Sequence, residues 1–382
     1  MNNGVTIIDV GSSKITAMIG ERGVNGTFVV NAVSDAEYDG FAEGKFFSEE
    51  EFKNSITNAL SSVADADAKG VKEVFVGVPG AFIRIENRKF RLSFGRRKKI
   101  TTKDVSDLLA AGQKKVYCDG YENIYASGIY FSFDDNRKSV DPVGQQSGSL
   151  GGLITYQLCE KYFIDLVRSA VAAITKAEVR FVYSLYAEGK FLLKGLPDTA
   201  KLLTDVGYIT TDSVIFLGNG IIAKDSVDYG GGYITAALVE KYGLSPSAAE
   251  QLKRDVSLGY IRGGQSQYLV DDDGETESFQ VEDVNELVRG VLDELAGNID
   301  AFLEENLSKI AISGIYLTGA GVAFMRGATE HLSGRIGQAV EIIAPETPMY
   351  NKAIYSSTIS LLDFSLDERK QNKLFFIFKR RG

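Results

Sequence analysis

The stretch VTIIDVGSSKITAMI, residues 5–19, has an apolar run, a short turn that carries an acid and a glycine, and a second apolar run. A similar stretch, LLTDVGYITTDSVIFL, follows at residues 202–217. Two β-rich runs around such a turn are the pattern of a β-hairpin. Because the pattern occurs twice, with Asp9 and Asp205 at matching places, it predicts two related α/β halves, each opening with a hairpin whose tip carries a carboxylate.

Length, composition and charge narrow the class of protein. The 382 residues exceed what one hydrophobic core usually spans, so we expect two or more domains. With 44% hydrophobic and 24% charged residues, the chain is predicted to be a soluble globular protein. The net charge of -9 argues against nucleic-acid binding, because the chain as a whole repels phosphate backbones.

The few histidines and cysteines exclude several kinds of site. One histidine, His331, and two distant cysteines, Cys118 and Cys159, argue against zinc sites, Ser-His-Asp triads and a disulfide scaffold. Unpaired cysteines and an N-terminus without a signal-segment pattern fit a reducing compartment. No apolar run approaches the roughly 20 residues needed to span a bilayer. We therefore expect a cytoplasmic protein that does not cross a membrane.

The spacing of apolar residues predicts the secondary structure of the rest of the chain. Residues 81–133 combine strand alternation with a helix, which predicts a separate small α+β module. The acidic turn DDDGE at residues 271–275 lacks the spacing of a calcium loop and is predicted to be a solvated hairpin tip. Helices are predicted where apolar residues recur at helical spacing, at residues 49–66, 101–116, 163–174, 233–242, 247–256 and 281–307.

The two hairpin turns could together hold a polyphosphate and a magnesium ion. Backbone N–H groups of tight turns bind anions, and Mg²⁺ contacts one or two carboxylates while keeping several waters. Asp9 and Asp205 suit the magnesium shell, and an ordinary polar hairpin is the alternative for the first turn. Gly11 has no Cβ and so leaves room for phosphate. The hydroxyls of Ser12 and Ser13 can donate hydrogen bonds, and Lys14 supplies a positive charge.

Two later segments could complete a nucleotide site. The stretch GIYLTGAG, residues 314–321, predicts a buried strand, a glycine-rich turn that can lie against a base and ribose, and a helix that begins near Met325. Glu250 and Lys253 lie one helical turn apart, where they could contact ribose hydroxyls. An ordinary surface ion pair is the alternative for these two residues.

The order of these elements resembles the actin/Hsp70/sugar-kinase ATPase superfamily and, within it, the FtsA family of bacterial cell-division proteins, over essentially the whole chain. The resemblance implies an α/β, actin/Hsp70-like two-lobed fold of duplicated halves, with an inserted α+β subdomain of the 1C type and a helical subdomain of the 2B type. The residues that it places at ATP are Asp9, Gly11, Ser12, Ser13, Lys14, Asp205, Gly207, Glu250, Lys253, Gly319, Ala320 and Gly321, with Asp9 and Asp205 also holding Mg²⁺ through water.

The resemblance also implies boundaries along the chain. The expected segments are lobe 1 at residues 1–80, 163–200 and 346–369, the 1C-type subdomain at 81–162, lobe 2 at 201–232 and 310–345, the 2B-type subdomain at 233–309, and a membrane-targeting tail at 370–382.

The second phosphate loop departs from the family pattern. Consecutive glycines follow Asp-x-Gly in the family, whereas Tyr208 and Ile209 follow it here. A tyrosine at a position that needs positive φ costs energy, and its ring could fill the space for phosphate. Ala320 also interrupts a glycine pair in the adenosine loop. We therefore expect at most a weak ATPase, and a scaffold of the same fold without nucleotide chemistry is the alternative.

The C-terminal tail is basic, whereas the chain as a whole is acidic. An exposed apolar run between positive charges suits an anionic membrane surface, and a last strand folded into the core is the alternative. The residues assigned to the membrane are Lys373, Leu374, Phe375, Phe376, Ile377, Phe378, Lys379, Arg380 and Arg381.

The resemblance implies an actin-like cell-division adaptor that polymerises and tethers the tubulin-like FtsZ ring to the inner face of the cytoplasmic membrane at the septum. The expected partners are an FtsZ-like protein, other copies of the chain and an anionic membrane. A sugar or acid kinase is disfavoured, because the inserted module and the basic tail serve no small-substrate phosphorylation. A pilus-assembly protein of the PilM type shares the inserted module but lacks the tail.

Overall fold

The computed structural model describes residues 4–65, 71–196, 198–259 and 266–379, with the side chains of residues 25 and 371–379 outside the description. The strands are β1 (Val5–Val10), β2 (Lys14–Arg22), β3 (Phe28–Glu37), β4 (Phe41–Ala42), β5 (Lys45–Phe46), β6 (Glu73–Val78), β7 (Ile83–Lys99), β8 (Tyr121–Ser132), β9 (Lys138–Ser139), β10 (Gln146–Glu160), β11 (Glu178–Tyr183), β12 (Ala200–Val206), β13 (Thr211–Leu217), β14 (Gly220–Val227), β15 (Gln267–Asp272), β16 (Glu275–Gln280), β17 (Ile312–Thr318) and β18 (Val340–Ile342). The helices are α1 (Glu49–Ala64), α2 (Thr102–Gln113), α3 (Lys161–Ala172), α4 (Ser184–Leu192), α5 (Gly232–Tyr242), α6 (Pro246–Asp255), α7 (Val281–Leu307), α8 (Ala328–Ile336) and α9 (Ser356–Lys379).

Two five-stranded sheets share one topology. The first has the order β11-β6-β1-β2-β3, and the second has the order β14-β13-β12-β17-β18. In each sheet the opening strand pairs antiparallel with the next strand and parallel with a later one on its other side. The two predicted hairpins and the duplication of the fold are therefore confirmed. We call the unit built on the first sheet lobe 1 and the unit built on the second sheet lobe 2.

Lobe 1 folds around strands that are apolar on both faces. Every residue of β1 is buried, as expected for a central strand covered by helices on both sides. Helix α1 begins at the Ser48 cap, whose side chain accepts a hydrogen bond from the Glu51 N–H, and it buries Phe52 and Ile56 as the spacing predicts. Helices α4 and α9 pack against each other, and α9 also packs against β1.

The inserted module is a four-stranded sheet, β7-β10-β8-β9, with α2 packed on it. A capping box formed by Thr101 and Asp104 begins α2. A small core of its own, which includes Leu108, Phe131 and Ile154, lies between the helix and the sheet. Side chains on one face of the sheet meet strand β14 of lobe 2, where the Thr155 hydroxyl donates to the carbonyl of Ile221 at 2.9 Å.

A helical part of lobe 2 is formed by α5, α6, α7 and the hairpin β15-β16. Helix α7 has the predicted bounds, because its apolar residues recur at helical spacing along its whole length. The acidic turn is a hairpin tip as predicted, with positive φ at Asp273 and Gly274. No helix in the described ranges has both the length and the apolar character to cross a bilayer.

One prediction and one alternative for the C-terminal third are wrong. Helix α8 begins at Ala328 and not near Met325, because Gly327 has a left-handed backbone and the preceding residue, Arg326, bridges to Ser257. The alternative of a last core strand also fails, since the backbone continues as helix α9 to Lys379. Residues 380–382 of the predicted tail, including Arg380 and Arg381, lie outside the described residues.

Candidate functional site

The ends of the central strands of both lobes meet at one cleft. In lobe 1, Asp9 lies beside Gly77 on the parallel strand β6, and Gly77 lies beside Val182 on β11. In lobe 2, Asp205 lies beside Thr318 on the parallel strand β17. Ligands of α/β proteins bind outside the carboxyl ends of parallel strands. The two aspartates predicted from the repeated hairpins therefore lie where such folds bind ligands.

Glycines in three segments of lobe 2 form one wall of the cleft. The N–H of Gly231 donates to the Gly207 carbonyl at 2.9 Å, and the N–H of Gly321 donates to the Val206 carbonyl at 2.7 Å. A Cβ at Gly321 would collide with the Gly207 carbonyl oxygen. Gly319 has φ +93°, and a Cβ there would collide with the Asp205 carboxylate. The predicted second loop and adenosine loop are thus packed backbone to backbone.

The first turn offers backbone N–H groups to the cleft. Its ends are held by the Gly11 N–H, which donates to the Lys14 carbonyl at 2.9 Å, and by the Tyr38 hydroxyl, which donates to the Gly11 carbonyl at 2.7 Å. The N–H groups of Ser12 and Ser13 have no acceptor within the described chain. Two adjacent free N–H groups in a tight turn suit an anion.

The two loops already touch across the cleft. The Ser12 hydroxyl accepts a hydrogen bond from the Ile209 N–H at 3.0 Å. The Ile209 side chain lies against Gly40 of lobe 1, where an added Cβ would lie 2.5 Å from its Cδ1. A phosphate between the loops would therefore have to displace this contact.

Lys14 is paired with an acid on the neighbouring strand β3. Its ammonium forms an ion pair with Asp35 at 3.0 Å, and both side chains are exposed. The Thr16 hydroxyl also donates to Asp35, at 2.6 Å. Exposed ion pairs of this kind stabilise by about 0–1 kcal/mol, so a phosphate could compete for the lysine.

The two predicted magnesium aspartates have different surroundings. Asp9 is buried and accepts hydrogen bonds from the hydroxyls of Ser357 and Thr358 at 2.7 Å each, at the start of α9. Burial raises the pKa of Asp9, while these hydroxyls oppose the rise. Asp205 has no hydrogen-bond or ion-pair partner among the described residues. Burial and the carboxylates of Asp212 and Asp9 raise the pKa of Asp205 to about 7.

Asp212 is fully satisfied and joins the lobes. It lies opposite Asp205 in the β12-β13 ladder. Its carboxylate accepts from the Gly80 N–H of lobe 1 at 2.8 Å and from the Ser226 hydroxyl at 2.5 Å. The Lys224 ammonium donates to the Gly80 carbonyl at 2.6 Å, and its charge opposes the burial that raises the pKa of Asp212.

A further carboxylate at the floor of the cleft was missed by the sequence reasoning. Glu188 of α4 is 0% exposed, and neither of its carboxylate oxygens has a partner in the described structure. Burial, followed by Asp205, Asp9 and Asp212, raises its pKa well above the usual range. The one available signal is that Ser184 and Glu188 lie one helical turn apart in an otherwise largely apolar helix.

Glu250 and Lys253 are not an ordinary surface pair, because Lys253 is 1% exposed. Its ammonium lies 2.6 Å from the Glu250 carboxylate and donates to the Gly231 carbonyl at 3.2 Å. The Thr235 hydroxyl donates to Glu250 at 2.7 Å. The pair therefore belongs to the wall of the cleft beside the glycines of residues 230–232.

The expectation of a positive φ at Tyr208 is wrong, because this residue is not among those with a left-handed backbone. Its ring is half exposed and lies beside Gly232, with the Lys253 ammonium 5.1 Å from the ring centroid. The loop therefore accepts a tyrosine without backbone strain. The ring lies on the side of the cleft where the ribose-contacting pair was predicted.

The cleft fits Mg²⁺ with a nucleotide, provided that the loops separate slightly. It offers free N–H groups for phosphate, a glycine wall for close approach, and two unpartnered carboxylates, Asp205 and Glu188. Within the described ranges, no three His, Cys, Asp or Glu side chains are grouped so that they could hold a metal ion directly. A magnesium ion here would therefore keep most of its waters.

Curated proteins similar to this chain are cell-division proteins, although no family model matches it. FtsA of Staphylococcus epidermidis is 21% identical over 368 residues, which cover 94% of this chain and 78% of that protein. FtsA of Escherichia coli is 20% identical over an alignment of 385 positions, which covers 94% of this chain and 89% of that protein.

Solved structures of similar fold are actin-like. The PilM-PilN type IV pilus biogenesis complex matches with TM-score 0.64 and 15% identity, covering 95% of this chain and 98% of the other. MreB5 of Spiroplasma citri bound to AMPPNP matches with TM-score 0.56 and 11% identity, covering 96% of this chain and 98% of the other. The MamK double helical filament matches with TM-score 0.52 and 12% identity, covering 94% and 98%. The chain thus has an actin-like fold, and its resemblance to FtsA is confirmed over nearly its whole length.

Proposed function

We propose that this chain is an actin-like cell-division adaptor that binds Mg-ATP, polymerises, and links an FtsZ-like ring to the inner face of the cytoplasmic membrane. The similarity to FtsA over 94% of the chain carries the proposal. The cleft supports its nucleotide part, since free N–H groups and a glycine wall meet between the lobes. The segments expected from the resemblance, including the 1C-type and 2B-type subdomains, are part of the same proposal.

In this proposal each part of the cleft has one role. The N–H groups of Ser12 and Ser13 bind phosphate oxygens, and Lys14 exchanges Asp35 for phosphate. Gly319, Ala320 and Gly321 lie against the base and ribose, beside Glu250 and Lys253. Asp9, Gly11, Asp205 and Gly207 complete the phosphate and magnesium contacts. Bound Mg-ATP supplies the negative charge that joins the two loops, and turnover is slow or absent.

Calorimetry with Mg-ATP tests the phosphate contact of Lys14. We expect Lys14→Ala to weaken binding by about tenfold to a hundredfold, because a hydrogen bond to a charged group contributes about 1.5–3 kcal/mol. Lys45→Ala, which removes an exposed lysine of β5, is the matched control and should bind like the wild type.

Equal affinities of the wild type and Lys14→Ala would contradict the assignment of Lys14. If neither protein releases or absorbs heat with Mg-ATP, the scaffold without nucleotide chemistry is favoured. In the same titrations Tyr208→Gly should bind more tightly, since it removes a ring that lies beside Gly232 and Lys253.

The helical part of lobe 2 is the proposed receptor for a short FtsZ-like tail. A surface pocket lies where this part meets helix α8. It is lined by residues from α7, α8 and the segment after α6, and they include Arg289 and Arg326. Arginine side chains at a pocket suit carboxylates of an extended peptide. The pocket therefore supports this part of the proposal.

Fluorescence anisotropy of a labelled FtsZ-type tail peptide with the full chain tests this pocket. We expect saturable binding that Arg326→Glu weakens at least tenfold, because the change reverses a charge at the pocket. Lys103→Glu makes the same charge change on the distant helix α2 and should leave binding intact. Absence of saturable binding at high micromolar wild-type protein would discard the proposal.

A pilus-assembly role is the second candidate, because the PilM-PilN complex has TM-score 0.64 to this chain. The two candidates differ in their need for a membrane-binding tail. Liposome binding by the C-terminal residues would therefore favour the cell-division adaptor.

A further inference from the structure

The first strand of the inserted module, β7, is basic although the chain as a whole is acidic. Eight of its 17 residues are lysine or arginine and one, Glu86, is acidic, so the strand has a net charge of +7. Because the whole chain has a net charge of -9, all the other residues together carry -16. The eight basic residues are Arg84, Arg88, Lys89, Arg91, Arg96, Arg97, Lys98 and Lys99.

These charges lie on an open edge of the module. Strand β7 is the first in the order β7-β10-β8-β9 and pairs with β10 alone within the described chain. Seven of the eight basic residues are exposed, and Lys98 is partly buried. Successive side chains of a strand point to opposite faces, so the positive charge projects on both sides of the edge. We call residues 84–99 the basic ridge.

Acids of the module neutralise only part of the basic ridge. Lys89, Arg96 and Lys99 have no ion-pair partner among the described residues. The ion pairs that the other basic side chains form with acids join Arg84 and Arg88 to Glu86, Arg97 to Asp134 and Lys98 to Asp104. Such pairs near the surface contribute little, so their basic members can still attract an external anion.

The basic ridge begins close to the proposed membrane tail. The Tyr125 hydroxyl of β8 donates at 3.0 Å to Glu368 of α9, two residues before that tail. Tyr125 lies opposite Gln157 of β10, which lies opposite Ile85 of β7. Two strand spacings amount to about 10 Å. A tail bound to a membrane would therefore hold the basic ridge at a high effective concentration near the same surface.

We propose that the basic ridge binds the surface of an anionic bilayer, so that the inserted module lies against the membrane that the tail enters. The inference rests on the proposed membrane role of the tail and adds a contact made by the folded body. A flat lipid surface can contact charges spread along a strand of about 50 Å, whereas a short peptide would cover only part of them. The neighbouring tail favours a bilayer over a nucleic acid, because both basic segments then face one anionic surface.

Binding of the full chain to vesicles of phosphatidylglycerol and phosphatidylcholine at low salt tests the proposal. Changing Lys89, Arg96 and Lys99 together to Gln should weaken binding by about tenfold to a hundredfold, because each basic residue near an anionic surface strengthens binding about fivefold. High salt should reduce this difference. The matched control changes two exposed lysines and one exposed arginine of lobe 2 to Gln and should bind like the wild type. These residues are Lys241, Arg254 and Lys309.

A fluorescent reporter tests which part of the folded body faces the lipid. The chain has no tryptophan, so Ser93→Trp places a single one on the basic ridge. Its fluorescence should be quenched by vesicles that contain a lipid with a spin-labelled headgroup. Ser247→Trp, at an exposed position of α6, is the matched control and should not be quenched.

Several results would overturn the proposal. If the Lys89, Arg96 and Lys99 variant binds vesicles like its control, or if Ser93→Trp is not quenched, these charges only protect an open sheet edge from pairing with other strands. Weaker binding of this variant to a labelled DNA duplex, with unchanged vesicle binding, would assign the basic ridge to a nucleic acid instead. Failure of the tail is distinguishable, because a Phe376→Asp chain that still binds vesicles through the basic ridge would contradict only the tail. A wild type that does not bind these vesicles would contradict both.

Discussion

Replacing Phe376 by Asp should abolish co-sedimentation of the chain with anionic liposomes at any salt concentration. The run at residues 374–378 has five large apolar side chains between basic residues. Burial of each such side chain contributes about 1.5–3 kcal/mol at most, and each basic residue near the surface adds about 1 kcal/mol. A charge within the run removes part of that burial and adds a desolvation penalty.

A second variant separates the electrostatic attraction of the tail to anionic lipids from the burial of its apolar side chains. Changing Lys379, Arg380 and Arg381 together to Gln should weaken pelleting chiefly at low salt, because salt screens such charges over about 8 Å at physiological ionic strength. The same liposomes and the same protein concentration serve for both variants. If the triple variant pellets like the wild type at low salt, these three charges do not contribute to membrane binding.

Thermal melting distinguishes a membrane tail from a structural helix end. Truncation after Arg369 should remove pelleting and leave the melting temperature unchanged. Unchanged pelleting with a lowered melting temperature would reject the anchor and leave only the fold. One tail should bind reversibly, whereas many tails on a filament would bind strongly through effective concentration.

The order and type of the elements could be predicted because they follow from local patterns. The repeated acid-glycine turns gave both hairpins, and helical spacing gave α7 its bounds, Val281–Leu307. These signals depend on neighbours a few residues apart. The start of α8 was misplaced because a contact between Arg326 and the distant Ser257 holds the preceding loop.

The chemistry of the cleft depends on contacts between residues far apart in the chain, which local patterns do not contain. The Ser12 hydroxyl meets the Ile209 N–H, and the Asp9 carboxylate meets hydroxyls at the start of α9. Glu188 gave little signal, because one acid in a short apolar helix usually faces solvent. Its burial becomes evident only when both lobes are in place.

Gly321→Ala should destabilise the chain by about 1–3 kcal/mol and lower the melting temperature by several degrees, because overpacking a tight site forces backbone shifts. The added Cβ would collide with the Gly207 carbonyl oxygen and would lie 2.8 Å from the Val206 carbonyl oxygen. The same displacement would move the second loop away from the first. Mg-ATP affinity should therefore fall together with the melting temperature, measured by calorimetry and thermal melting on one preparation.

Gly334→Ala is the matched control, because a Cβ at this exposed position of α8 meets nothing within 4 Å. Alanine is the better helix former, so this change should stabilise by about 0.4–1 kcal/mol and leave Mg-ATP binding unchanged. Ala320, the residue before Gly321, is exposed and already carries a Cβ. The adenosine loop therefore excludes a methyl group only where it faces the second phosphate loop. A Gly321→Ala variant as stable as the wild type would mean that the glycine wall is loosely packed, and its role in close nucleotide approach would then be lost.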